Sequence, residues 1–144
     1  MPKETFFNLP DEKRHIIQNA ALNEFADHGY EGASINRIVA AAGIAKGSFY
    51  QYFEDKADLF KQILTYIGEL KMAYVSPVLL NPTQHDFFIL LEELYRTGLA
   101  FGREHPKAAK LGFEVNENKT SPIFKELLQE SRQMATWFFM PILD

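Results

Sequence analysis

The 144-residue chain has no cysteine, so disulfides and thiolate metal sites are excluded and nothing in the sequence calls for an oxidising compartment. It also lacks a long apolar run. Glu92, Glu93, Arg96 and Arg103 interrupt the longest candidate, which therefore falls short of the roughly 18 residues a membrane span requires. The opening MPKETFFNLP has neither the basic start nor the apolar stretch of a signal peptide. A soluble, cytoplasmic protein with no membrane partner is the expectation. Between Gly32 and Phe53 acidic residues are missing altogether, and the only formal charges are Arg37 and Lys46. This contrasts with a net charge of −4 for the whole chain. Residues 1–53 carry five basic and six acidic side chains, so any contact with a polyanion must come from a local patch.

What is present is apolar and helical. Hydrophobic residues make up 47% of the chain and aromatic residues 14%, well above the content of disordered sequences. Apolar residues at steps of three and four predict a first helix over 11–27, with Ile16, Ile17, Ala20, Ala21 and Phe25 on one face. Gly29 supplies its left-handed stop, and Tyr30 is the apolar residue expected just beyond it. Ser34 is an N-cap for a second helix that turns Ile35, Ile38 and Val39 inward and ends at Gly43. A third helix follows over 46–52. Asp55, with Asp58 three residues on, caps a fourth over 57–75 that carries Leu59, Phe60, Ile63, Leu64 and Ile67 as its stripe.

Ser76-Pro77 and Asn81-Pro82 predict a loop between two helical blocks. A helix over 84–104 then carries apolar residues too broadly spread for one stripe, which predicts burial on more than one side. His105-Pro106 opens a short segment to about Val115, 116–122 is a polar loop, and a last helix begins near Pro122 or Ile123. Strands find little support, so the fold class is all-α.

Two short helices joined by the glycine turn AAGIA form a helix-turn-helix pattern, in which the second helix enters the DNA major groove. At 100° per residue, Phe49 faces the Ile38/Val39 side while Lys46, Gly47, Tyr50 and Gln51 gather on the opposite one. Lys46 can donate to guanine O6 and N7, Gln51 can pair with adenine, and Gly47 permits close backbone approach. Hydroxyls of Ser34, Ser48, Tyr50 and Tyr52 suit phosphate contacts, which fix register rather than sequence. Amides at the helix starts near Ser34 and at Asp55/Lys56 favour anions.

These residues carry a family resemblance: AAGIAKGSFYQYFEDKADLF resembles the core signature of the TetR family of transcriptional regulators, and the upstream AALNEFADHGYEGASINRIV is similar to the rest of its DNA-binding domain. The likeness covers roughly residues 11–60. It implies that Ser34 and Arg37 touch phosphate or a base edge, that Lys46, Gly47 and Ser48 form the entry of the recognition helix, and that Tyr50, Tyr52 and Lys56 contact the DNA backbone. Two positions depart from the pattern. Ala45 stands where the family often has serine, and an N-cap lost to alanine costs about 0.5–2 kcal/mol; Tyr52 replaces a frequent histidine.

The resemblance further implies a helix-turn-helix domain over 1–54, a helical effector-binding and dimerisation domain over 55–144, and a homodimer on a palindromic operator. A small apolar or aromatic effector would release this repressor. Tyr66, Met72, Tyr95, Arg96, Met134 and Trp137 are the candidate lining, although a packed helical core is the alternative for each aromatic. Family members run longer and dimerise through two further helices, so the chain reads as incomplete at its C-terminus or as pairing differently. An activator without effector, a helical adaptor that has lost DNA binding and, third, an all-α enzyme remain the rival readings. His15, His28, His85 and His105 lack metal-ligand spacing, and there is no nucleophile elbow or phosphate loop; neither an enzyme nor a cofactor is expected.

Overall fold

The computed structural model describes residues 1–117, 122–126 and 129. Every element among them is helical, as expected for the all-α class. Packing divides the chain into two units, Met1–Gly68 and Glu69–Asp144.

The first unit opens with a single turn, α1 (Glu4–Phe7), whose Phe6 is fully buried. The long α2 (Asp11–Gly32) follows. Its buried face is Ile17, Ala21, Leu22, Phe25 and Ala26, while Ile16, expected inside, is exposed. The stripe is thus rotated by part of a turn from the expected one. Gly29 adopts φ 70° and ψ 174° and breaks the helix where its stop was expected, after which about one more helical turn follows. Only glycine enters that backbone region without strain. Tyr30, just beyond, stacks on Phe25 at 6.3 Å between ring centroids and meets Phe60 at 5.0 Å.

Helices α3 (Ile35–Ala42) and α4 (Lys46–Tyr52) coincide with the expected pair. Ile38 and Val39 of α3 and Phe49 of α4 enter a core completed by Leu59, Phe60 and Ile63 of α5 (Lys56–Met72). Asp55 begins α5 by accepting from the Asp58 N–H at 2.8 Å, and the Asp58 carboxylate reaches back to the Glu54 N–H at 3.0 Å. That reciprocal pair is a capping box displaced by one residue.

In the second unit, the predicted loop holds two short turns: α6 (Pro77–Leu80) and a 3-10 turn, Pro82–Gln84. Each has proline at a first-turn position, where its missing N–H is no loss. Asp86 accepts from the Phe88 and Ile89 N–H groups and starts α7 (Phe87–Glu104) three residues later than expected. α8 (Pro106–Glu117) then packs back on α7, burying Ala108, Leu111 and Val115, and a further helical stretch covers 122–126. The expectation that α7 is buried on several sides is overturned. Phe101 is its buried large side chain, whereas Phe87, Phe88, Leu91, Leu94, Tyr95 and Leu99 are exposed, Phe88 to 77%. Among the described residues, α6 and α8 pack on it.

Candidate nucleic-acid interface

Local chemistry sets the geometry of α3, the turn and α4. Ser34 has extended backbone angles and its hydroxyl accepts from the Arg37 N–H at 3.4 Å, the N-cap arrangement. At the other end Gly43 takes φ 66° and ψ 32°, so that its own N–H bonds to the Ala40 carbonyl at 3.3 Å and the Ile44 N–H to the Val39 carbonyl at 3.1 Å. This is a Schellman closure, and it bends the chain within two residues. α4 begins at Lys46 with no side chain capping it, because Ala45 has nothing to offer.

Seven residues form barely two turns, so packing must hold α4 in place. Phe49 is fully buried and meets Phe53 at 5.4 Å. Lys46, Gly47, Tyr50 and Gln51 lie exposed on the opposite face, with Ser48 half-buried at its border. Among the described residues Lys46 has no hydrogen-bond or ion-pair partner, which leaves its ammonium available to an outside acceptor.

Three candidates stand elsewhere. Tyr52 is only 7% exposed, with its ring 6.4 Å from Phe6, because the 3.6-residue period turns position 52 to the Phe49 side. Arg37 is exposed, but its guanidinium is engaged: Nε donates to Glu24 Oε1 at 2.7 Å, while Nη2 donates to the Gly32 carbonyl at 2.7 Å and lies 2.6 Å from the same Glu24 oxygen as an ion pair. Lys56 is likewise turned inward, donating to the carbonyls of Glu31 at 3.2 Å and Ala33 at 3.4 Å, with its ammonium 4.8 Å above the Tyr30 ring. Both cations hold helix ends within the domain instead of presenting free charge.

Glu24 is the partner that sequence reading missed. Its carboxylate joins α2 to α3, accepting from the Ser34 N–H at 3.0 Å as well as from Arg37, and lies 3.8 Å from His28 Nε2. Burial pushes this carboxyl up, but the hydrogen bonds from Arg37 and Ser34 and the charges of Arg37 and His28 outweigh it and hold the group below the ordinary 4.5. Thirteen residues separate Glu24 from Arg37, so no local pattern announces the pair.

The effector candidates fall in both units. Tyr66 is buried in the first unit, with its hydroxyl donating to Asn19 Oδ1 at 3.4 Å and its ring 6.1 Å from that of His15. Met72, Tyr95 and Arg96 are exposed in the second, and Arg96 bridges Glu92 at 3.0 Å and Glu93 at 3.3 Å. Met134 and Trp137 lie outside the described residues. Among the described residues no helix is long and apolar enough to cross a membrane.

Comparison with known proteins agrees with this geometry. The profile of the bacterial regulatory proteins of the tetR family matches residues 17–63. The uncharacterized HTH-type transcriptional regulator YdgC of Bacillus subtilis is 39% identical over 143 residues, covering 92% of this chain and 71% of that protein. The HTH-type transcriptional regulator AcrR of Shigella flexneri is 35% identical over 78 residues, 51% of this chain. That match spans about a third of AcrR's own length, 36%. Among solved structures, a TetR family transcriptional regulator from Chloroflexus aurantiacus superposes with a TM-score of 0.67 at 42% identity, covering 80% of this chain and 52% of the other.

Proposed function

The chain belongs to the TetR family of bacterial regulatory proteins, and we propose that it is a cytoplasmic repressor that binds a palindromic operator as a homodimer and leaves it when a small apolar or aromatic effector binds. One observation carries the DNA-binding part of this reading: Lys46, Gly47, Tyr50 and Gln51 share the exposed face of α4, behind which Phe49 and Tyr52 are buried. On that face Lys46 and Gln51 are the base readers, Gly47 allows approach, and Tyr50 with Ser34 and Ser48 meets phosphates. Arg37, Lys56 and Tyr52 serve the same interface indirectly, by fixing where α3 and α4 stand.

A functional division at 54/55 assigns the helix-turn-helix to residues 1–54 and effector binding and dimerisation to 55–144. α5 is the lever between them, since this one continuous helix begins at Lys56, shortly after the recognition helix ends at Tyr52, and runs to Met72. Two recognition helices must lie about 34–36 Å apart, or a multiple of it, to enter successive major grooves of one operator. An effector that binds the two conformations of the dimer unequally shifts that separation. The exposed apolar side chains of α7 suit a greasy ligand better than a charged one.

The test combines solution mass with binding to a duplex selected by this chain from a randomised pool, titrated against salt. Dimeric mass, steep loss of affinity with salt and preference for the selected duplex are expected. Equal binding to selected and random DNA would overturn the operator reading. A thermal-shift screen with flat apolar compounds tests the effector; a hit that raises the melting temperature and lowers DNA affinity is the expected result.

A further inference from the structure

The last four carbonyls of any helix have no partner within it. In α4 all four are nevertheless satisfied. The Phe49 carbonyl accepts from the Phe53 N–H at 2.9 Å, which is local. The other three are served by one remote segment: Lys3 Nζ donates to the Tyr50 carbonyl at 2.7 Å, the Thr5 hydroxyl to the Gln51 carbonyl, and the Lys3 backbone N–H to the Tyr52 carbonyl at 2.8 Å. Phe6 anchors that segment, fully buried with its ring 4.9 Å from Phe53 and 6.4 Å from Tyr52. Its far end is tied to α2, where Arg14 Nη1 donates to the Phe7 carbonyl at 2.9 Å.

We propose that residues 3–6 form a clamp that positions the recognition helix, with Lys3 and Thr5 as positioning residues for operator choice. The inference rests on α4 being the base-reading helix. Its physical basis is the weakness of that helix on its own. α4 has seven residues, no side-chain N-cap and a glycine at its second position, so little within it fixes its axis. The carbonyls that the clamp holds belong to Tyr50, Gln51 and Tyr52, and two of these side chains lie on the exposed reading face. Lys3 places a positive charge at the negative end of the α4 dipole, which is where it stabilises. Base recognition depends on alignment to fractions of an ångström, so a helix end released from its holder loses specific contacts before it loses attraction to phosphate.

The experiment uses the full chain and three substitutions. Lys3→Met keeps the aliphatic stem and removes the donor, Thr5→Val removes the hydroxyl at nearly constant shape, and Lys3→Arg restores a cationic donor. Binding is measured to a duplex selected by the wild-type chain and to random DNA, across a salt series. For Lys3→Met with Thr5→Val, the ratio of selected to random affinity is expected to fall about tenfold, the scale of one lost base contact, with the salt slope unchanged. Lys3→Arg should restore most of the ratio. Glu54→Gln serves as a control for the 3.3 Å Lys3–Glu54 ion pair and should leave the ratio as it was. An unchanged ratio in the double variant overturns the clamp. So does a parallel loss on both DNAs with a shallower salt slope, which would make Lys3 a phosphate contact. Wild-type chain that fails to distinguish the two duplexes instead defeats the base-reading role of α4. Circular dichroism melts identify unfolding, in which case Thr5→Val alone, at an exposed site, decides the question by the same ratio.

Discussion

Arg37 and Glu24 join α3 to α2 through a two-pronged contact, Nε at 2.7 Å and Nη2 at 2.6 Å from one carboxylate oxygen. The carboxylate is only 10% exposed whereas the guanidinium is half-exposed, so the two ends do not respond alike to removal. Arg37→Met strands a largely buried anion and should cost about 1–2 kcal/mol, with solvent screening keeping the figure below that of a fully buried pair. Glu24→Gln retains an acceptor for the Ser34 N–H and should cost less. A double-mutant cycle in urea would show coupling of roughly 1 kcal/mol. If the two substitutions are simply additive, the pair is a surface ornament and Arg37 is available to DNA after all.

The same carboxylate gives the domain an acid-sensitive component. Its folded-state value lies below the unfolded 4.5, so its contribution is complete above pH 4.5 and is lost as pH falls through the folded value. Urea midpoints measured from pH 7 to pH 3 should therefore decline more steeply on the acid side for the wild type than for Glu24→Gln, the two curves drawing together at the lowest pH. Parallel curves would contradict the assignment.

Gly43 provides a purely backbone test. A Cβ built there meets nothing within 4 Å, so crowding is not an issue, but the φ of 66° is one that side-chain-bearing residues resist. Gly43→Ala should cost about 1–2 kcal/mol and Gly43→Asn distinctly less, read from thermal or urea unfolding. Equal costs for the two would mean that the turn adjusts its backbone.

Tyr50 and Tyr52 differ by two positions and should behave oppositely. Tyr50 is 45% exposed; Tyr50→Phe should leave stability within about 0.5 kcal/mol and weaken binding to selected and random DNA alike, as loss of a phosphate contact does. Tyr52→Ala opens a cavity beside Phe6 and should cost about 3 kcal/mol. A Tyr52→Ala chain of unchanged stability would place its ring outside the core.

Those two tyrosines mark the limit of what the sequence disclosed. The ends of α3 and the start of α4 were legible because each is set by neighbours in the chain: Ser34 three residues before the N–H it caps, and Gly43 at the turn it makes. The exposed Lys46 face followed from helical period alone. Contacts over long separations were not legible. Arg37 finds Glu24 on another helix, and Lys3 finds Tyr50 forty-seven residues away. α1 is a single turn, too short to show periodicity, its hint being the Phe6-Phe7 pair close to the N-terminus. The spread of apolar positions also misled on α7, because it shows that a surface favours covering and not which element covers it.

Gly47 separates folding from recognition within one residue. It lies at the second position of α4 with an ordinary negative φ, and a Cβ added there meets nothing within 4 Å. The fold therefore has no steric need of glycine at this site, and alanine, the better helix former, should stabilise the domain by up to about 0.5 kcal/mol. On the exposed face beside Lys46, however, an added methyl would stand where the proposed reading brings the backbone to the DNA. Gly47→Ala is accordingly expected to melt at the same or a higher temperature while binding the selected duplex at least tenfold more weakly, with random DNA affected less. Unchanged affinity at raised stability would mean that α4 does not approach the groove closely at residue 47, and that Lys46 and Gln51 reach their bases from further out.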